Sequence, residues 1–369
     1  MKKILSVMLS LVMVMALLTG CGEKEESSSF FKEMTKLQDI QTGTSEMEFA
    51  MNLKGKEVTE DTDIPAILKN GDTVALKIKV EATAESQTKS AVKISAQYGT
   101  NDYAELTTLV FDGEKLYLGV ASIVDFIRSI DESVVAELES GLSQMGISDY
   151  ISIDVKQLCE ASNIEMQDMS KINEGAQNLT KRLFENLEKS FAGIQGKDGD
   201  DYTLTVGADN AEKVADALIQ FCDEGSLKQT YNDAMDLYVE MFGADTEMGK
   251  QFAEMKNDTS ELDNAVQEIK DKKEDIVQGL KDSKINAVAK INISGDEGSR
   301  VGNLSIDTGE IKDDDTTGRI TVTSEVKEGE VSIQEMIPTE GVVDLTAMLT
   351  AMMNQTGAGL SGYGNTALY

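Results

Sequence analysis

From Ser45 to Lys54 the apolar positions Met47, Phe49, Met51 and Leu53 alternate with Glu46, Glu48, Ala50 and Asn52. A period of two sends successive side chains to opposite faces, so this segment predicts a strand with one buried and one wet face. The same rhythm runs through Val74, Leu76, Ile78, Val80 and Ala82, then Val92, Ile94, Ala96 and Tyr98, then Ala104 to Phe111. Asp112-Gly113 separates Val110-Phe111 from Leu116-Tyr117. Asp-Gly between two strands signals a two-residue hairpin, in which both central residues take positive φ. Five strands with such short connections predict an antiparallel meander, because parallel pairing needs long crossovers.

Elsewhere the period lengthens to that of a helix. Phe30, Met34 and Leu37 predict a short amphipathic helix ended by Gly43. From Ala121 the helical pattern holds for most of the stretch to residue 283: Ile123, Phe126, Ile127 and Ile130 share one face, and Leu179, Leu183, Leu187 and Phe191 recur every four residues. One short strand, Asp201 to Val206, interrupts it, and Asp209 with Glu212 reads as a capping box. Further helices are predicted from Ser226 to Phe242 and from Ser260 to Lys281, the second with a narrow apolar seam broken at Lys273. Alternation returns at Ile285 to Ile293, Val301 to Ile306, Arg319 to Val326 and Val331 to Ile337. A last helix, Asp344 to Met353, carries Leu345, Met348, Leu349 and Met352.

Strands, helices, then strands again predict an α+β fold rather than the alternating βαβ of a two-lobed solute receptor. The two strand sets either form separate sheets or complete one. The favoured architecture is a single large curved antiparallel sheet, an unclosed half-barrel formed by the N- and C-terminal sets and covered by a long central helical insert. One α+β domain then spans 30–353: helix and meander at 30–119, mostly helical insert at 120–283, second meander and helix at 284–353. Residues 354–369, rich in Gly, Thr and Ala, predict a disordered tail.

Ahead of this body, Lys2 and Lys3 precede a nearly unbroken apolar run, Ile4 to Leu18, closed by Leu18-Thr19-Gly20-Cys21. The run is shorter than the roughly 20 residues a spanning helix needs and has the form of a secretory signal over 1–20. Its last four residues resemble the lipobox of bacterial lipoproteins. That resemblance implies cleavage between Gly20 and Cys21, a diacylglyceryl group on the Cys21 sulfur, and a protein lipid-anchored on the extracytoplasmic face of the cell membrane. Residues 21–29 then form the anchor and a charged, Ser-rich flexible tether.

Charge and composition narrow the chemistry. The formal charge is −32, and −34 once Lys2 and Lys3 leave with the signal. Such a surface repels phosphates, so nucleic acid is not an expected partner. Histidine is absent, which removes Ser-His-Asp and Cys-His pairs and imidazole-bound metals. Cys159 and Cys222 either stay as buried thiols or, after export, form one bridge. Asp313-Asp314-Asp315 lacks the spacing of an EF-hand, and Asp198-Gly199-Asp200-Asp201 reads as a turn. With 66 acidic residues, paired carboxylates carry no information, and no Gly-rich phosphate loop is present. No enzyme activity, cofactor or metal is expected.

The order of elements, with the hairpin Phe111-Asp112-Gly113-Glu114-Lys115-Leu116-Tyr117, is similar to the LolA/LppX-type lipoprotein fold. The likeness implies an unclosed barrel whose helix-covered face encloses an apolar cavity for acyl chains. It carries over no functional side chain. The residues expected to line such a cavity are Met47, Phe49, Met51, Leu53, Leu76, Ile78 and Val80 on the strands, with Met348 and Met352 on the last helix. The expected function is a non-enzymatic lipoprotein holding lipid between sheet and helices. The alternative is a structural or protein-interaction lipoprotein whose helices fill the sheet.

Overall fold

The computed structural model describes residues 28–55, 69–99, 101–130, 132–161, 169–223, 225–313 and 316–356. Helix α1 (Phe30–Gln38) leads into β1 (Gly43–Lys54), β2 (Lys69–Asn70), β3 (Thr73–Ser86), β4 (Lys89–Tyr98), β5 (Ala104–Phe111) and β6 (Lys115–Gly119). Then come α2 (Ala121–Ile130), α3 (Glu132–Gln144), β7 (Tyr150–Asp154), α4 (Val155–Ala161), α5 (Met169–Phe191), β8 (Gln195–Asp198) and β9 (Asp201–Gly207). Helices α6 (Ala211–Asp223), α7 (Ser226–Phe242), α8 (Glu247–Asn257), α9 (Ser260–Asp271) and α10 (Lys273–Ser283) follow. The chain closes with β10 (Asn286–Ser294), β11 (Val301–Asp307), β12 (Ile311–Asp313), β13 (Thr316–Glu328), β14 (Val342–Asp344) and α11 (Thr346–Thr356).

All fourteen strands among the described residues join one open sheet in the order β14-β7-β6-β5-β4-β3-β1-β13-β11-β10-β9-β8, with β12 on β13 and β2 on β3. The fold is α+β, with one large unclosed sheet under helices. Its centre is β1, which pairs antiparallel with β3 on one side and β13 on the other over its full length, from Gly43↔Ala84 and Gly43↔Glu328 onward. The N- and C-terminal strand sets are therefore two halves of one sheet. Gly43 opens β1 with φ of 138°, and a Cβ there would lie 1.9 Å from the Lys327 carbonyl oxygen. Only glycine fits that approach.

Because directly paired residues point the same way, the apolar positions align across the sheet. Phe49 stands beside Ile78 on β3 and Val322 on β13; Val322 stands beside Ile306, and Ile306 beside Ala289. Over this C-terminal half lie α1, α5, α6 and α10. Phe30, Met34, Phe184, Val214, Leu280, Ile291 and Leu304 form one packed cluster, with Met47 and Phe49 against it. Phe31 meets Phe184 and Phe191 at 6.1 and 6.2 Å between ring centroids, which fastens α1 along α5. At the opposite edge, Val120, Val124, Val135 and Ile147 from α2, α3 and their flanks pack with Ile151 of β7 and Val343 of β14.

Several local expectations need correction. Val331 to Ile337 is not a strand: Gln334–Met336 is a single 3-10 turn, and Ile333, 1% exposed, docks on Ala91 and Val110. The helix expected from Ser260 to Lys281 is two helices, α9 and α10, divided at Lys272 beside the break in the seam. The insert holds three strands rather than one, and β7 makes the sheet's one parallel pair among the described residues, with β14. The Asp112-Gly113 hairpin has a three-residue loop. The Asp112 carboxylate accepts from the Glu114 and Lys115 amides at 2.9 and 2.7 Å, and only Gly113 takes positive φ. Before α6, Asn210 closes the turn through the Gly207 amide and the Thr205 carbonyl, 2.8 Å each, in place of an Asp209–Glu212 box.

Candidate functional site

Between the two helical walls lies a floor made of β3, β4, β5 and β6. Register places Leu76, Ile78 and Val80 of β3 on the same sheet face as Met47, Phe49 and Met51. That face continues through Ile94 and Val92 on β4, Leu109 and Phe111 on β5, and Leu118 and Leu116 on β6, where Leu118 pairs with Ile151. The first wall packs on Met47 and Phe49, the second on Ile151. Most of the floor residues between them are half-buried, Val74, Ala96 and Tyr98 are buried, and none belongs to either packed cluster. Strands about 4.8 Å apart make this floor a shallow trough, bounded on one side where α2 packs on β5.

The chemistry of this floor is uniform. Its positions on β3 are Val74, Leu76, Ile78, Val80, Ala82 and Ala84, and on β4 Ser90, Val92, Ile94, Ala96 and Tyr98. No charged residue falls on this face of β3–β6. Thr107 is the polar exception on β5, and its hydroxyl donates to the Gly119 carbonyl at 2.9 Å. Tyr98, 5% exposed, meets Phe126 of α2 edge-on at 5.8 Å, so an aromatic pair closes one end. Apart from the Ser90, Tyr98 and Thr107 hydroxyls, the floor offers van der Waals surface.

Of the cavity residues expected from sequence, Leu76, Ile78 and Val80 sit on this floor, and Met51 and Leu53 are half-buried beside it on β1. Met47 and Phe49 lie instead under the first helical wall. Met348 on α11 is 39% exposed; the side chain of Met352 lies outside those described, as do Gly20, Cys21, Asp314 and Asp315. Cys222 is buried on α6, while the Cys159 side chain is not among those described. Residues the sequence did not single out, namely Val92, Ile94, Leu109, Leu116, Leu118 and the Tyr98–Phe126 pair, complete the trough. Their alternation was visible, but membership of one shared surface depends on register.

The rim where α1 meets the sheet carries the strongest electrostatics. Arg300 grips Glu328 with Nε and Nη2 at 2.7 and 2.8 Å, and Nη2 also donates to the Asp39 carbonyl at 3.3 Å. These bonds hold the Glu328 carboxyl down at about 2. Asp39, the C-cap of α1, is pushed up to about 6 by burial, which outweighs the attraction of Arg300 and Lys181. Beside it the Gln38 amide is 1% exposed with neither polar atom hydrogen-bonded.

The opposite sheet face is polar. Cross-strand rows run Lys93–Glu81–Glu46–Glu325–Asn303–Asn292 and Ser95–Lys79–Glu48–Thr323–Ser305–Lys290. A cleft of about 340 Å³ opens there, over β1, β13, β11 and β10. Like charges directly opposite one another destabilise a sheet. Glu46 faces Glu81 and Glu325, and Lys79 offsets this by reaching Glu46 at 3.0 Å and Glu81 at 3.2 Å. Among the described residues, no group of three or more Cys, Asp or Glu side chains is placed to hold a metal ion, and no helix is long and apolar enough to cross a membrane. The Asp198–Asp201 segment is a tight β8–β9 turn, with Gly199 at φ of 64°.

Comparison with protein-family models, curated proteins and solved structures finds no match for this chain.

Proposed function

We propose that this chain is a membrane-tethered, extracytoplasmic lipoprotein, anchored through a diacylglyceryl group on Cys21, that holds an acyl chain in the trough over β3–β6 without catalysing a reaction. The observation that carries this reading is the uncharged floor between the two helical walls. Contiguous apolar surface of this extent marks a binding site for apolar groups more often than an idle face. An acyl chain gains about 0.8 kcal/mol for each CH₂ buried, so ten methylenes supply roughly 8 kcal/mol before the cost of immobilisation. The order of strands and helices supports the likeness to LolA/LppX-type lipoproteins. In this chain, however, the larger helical cluster lies over the C-terminal half of the sheet and a smaller one over the β7–β14 edge, so the ligand is placed on the strip of β3–β6 between them.

The test is organic extraction and native mass spectrometry of the purified chain, beside Ile78→Lys. Wild-type protein is expected to bring lipid with it, and the variant, whose ammonium would stand on the floor, to lose it. Lipid-free wild-type protein would overturn the proposal. It would favour the second reading, an interaction lipoprotein, which the packed cluster over β1 and β9–β13 supports.

A further inference from the structure

Asn70-Gly71, at the corner between β2 and β3, is the chain's one Asn-Gly dipeptide. We infer that it is a self-modification site: the Gly71 backbone nitrogen attacks the Asn70 side chain, and the product loosens the β2–β3 hairpin. The site is independent of the trough, because Asn70 belongs to the opposite sheet face. Asn70 pairs with Thr73 and Thr73 with Lys54, so the three share one row on the polar side.

The reaction needs a backbone nitrogen free to approach the side-chain carbonyl carbon. The pairs Lys69↔Val74 and Asn70↔Thr73 leave Gly71 and Asp72 as a two-residue loop, so Gly71 stands outside the β2–β3 ladder. Its φ is 62°, and nothing lies within 4 Å of where a Cβ would stand, so neither a side chain of its own nor a neighbour screens the nitrogen. Every other asparagine precedes a residue that carries a Cβ. Asn70, Gly71 and Asp72 are all exposed, which admits the base and the water that the reaction uses. Ring closure also requires Asn70 to leave its extended backbone. Strand β2 has only two residues, so opening one cross-strand pair releases it, and fraying of this kind costs little.

The atoms balance without an oxidant or a cofactor. Gly71 loses its amide proton to solvent base and forms an N–C bond to Asn70 Cγ. The adduct breaks the bond from Cγ to Nδ2 and releases ammonia, leaving a five-membered succinimide. Water then cleaves one of the two ring C–N bonds that flank the imide nitrogen. Cleavage at Cγ leaves aspartate; cleavage at the Asn70 backbone carbonyl leaves isoaspartate, whose main chain is one carbon longer. The net change converts an amide and water to a carboxylate and ammonium.

The isoaspartate product acts on the sheet. An extra backbone carbon puts residue 70 out of step with Thr73, in a strand that has two pairs in all. The new charge stands in the row of Lys54, whose ammonium already serves Asp72 at 3.3 Å. On this side of β3, β2 continues the sheet where β4 stops: Leu76 pairs with Tyr98, and Val74 with Lys69.

The experiment ages the full mature chain in mildly alkaline buffer, folded and in parallel in urea. Ammonia release, enzymatic methylation of isoaspartate and peptide mass spectrometry follow the conversion. In the folded chain Asn70 is expected to convert first, to isoaspartate and aspartate together, and Asn70→Gln to remove that first product. Amide hydrogen exchange over 69–74 is expected to be faster in the aged chain than in Asn70→Asp, which carries the new charge on a backbone of normal length. The inference is overturned if the folded chain keeps Asn70 while the chain in urea loses it, or if another asparagine converts first in the folded chain. Exchange in the aged chain no faster than in Asn70→Asp would also overturn it.

Discussion

Replacing Asp39 by Asn should stabilise the protein, and only above mildly acidic pH. The Asp39 carboxyl closes α1 at the negative end of its helix dipole, and one of its oxygens is buried without a hydrogen-bond partner. Burial lifts its pKa from 3.8 to about 6 against the pull of Arg300 and Lys181, with Glu328 adding to the rise. The folded chain therefore holds this proton more tightly than the unfolded chain. The stability that this group contributes is fully present below 3.8, is lost as pH rises through the window from 3.8 to about 6, and is absent above it. A shift of this size corresponds to at most about 3 kcal/mol, and to about 1–2 kcal/mol once the water reaching this half-buried group is allowed for. Asn keeps the shape of the protonated acid and cannot ionise. Urea denaturation followed by circular dichroism at intervals from pH 3.5 to 8 should show the two proteins converging at the acid end. Asp39→Asn should pull ahead by about 1–2 kcal/mol at neutral pH. An advantage that does not change with pH, or a variant less stable at pH 7.5, would refute the reasoning.

Other outcomes follow from the same structure. Glu328→Gln should cost about 2–3 kcal/mol near pH 7, because the Arg300 hydrogen bonds hold this carboxyl at about 2 against an ordinary 4.5. That contribution is present above 4.5 and lost as pH falls toward 2, so the wild-type and variant acid-denaturation curves should merge at the acid end. Gly43→Ala forces a Cβ onto the Lys327 carbonyl at φ of 138° and should lower stability by about 3 kcal/mol or more, seen as a fall in Tm of several degrees. Cys21→Ala should move the protein from the membrane fraction to the soluble one; retention would show another anchor.

Strand pattern and fold class were legible because a half-buried strand writes its two faces directly into alternate residues, as β1, β3 and β10 do. Which half of that apolar face is covered was not legible. It follows from α1 and α5 crossing the strands that β13 brings beside β1, a pairing between distant parts of the chain. Thus Met47 and Leu76, alike in pattern, end in different surroundings. The false strand at 331–337 has a similar origin: the apolar spacing was real, but Ile333 uses it to dock on the polar side of the sheet rather than to pair. Strands β7 and β8, of five and four residues, were too short to stand out among helices. The polar cleft had no signal in any single segment, since its rows exist only across strands.

The place of β1 also sets an order of events. Its partner residues on β13 lie up to 285 positions further along, so the middle of the sheet is completed late, after every other strand but the short edge strand β14. Until β13 arrives, β1 presents a bare edge, and Met47 and Phe49 wait for a cover that C-terminal strands help to build. Such distant pairing slows folding. A chain stopped before residue 316 would hold the N-terminal meander with an unsealed flank, the geometry that recruits strands from neighbouring molecules. The sheet is sealed against strands of neighbouring molecules only when almost the whole chain has emerged.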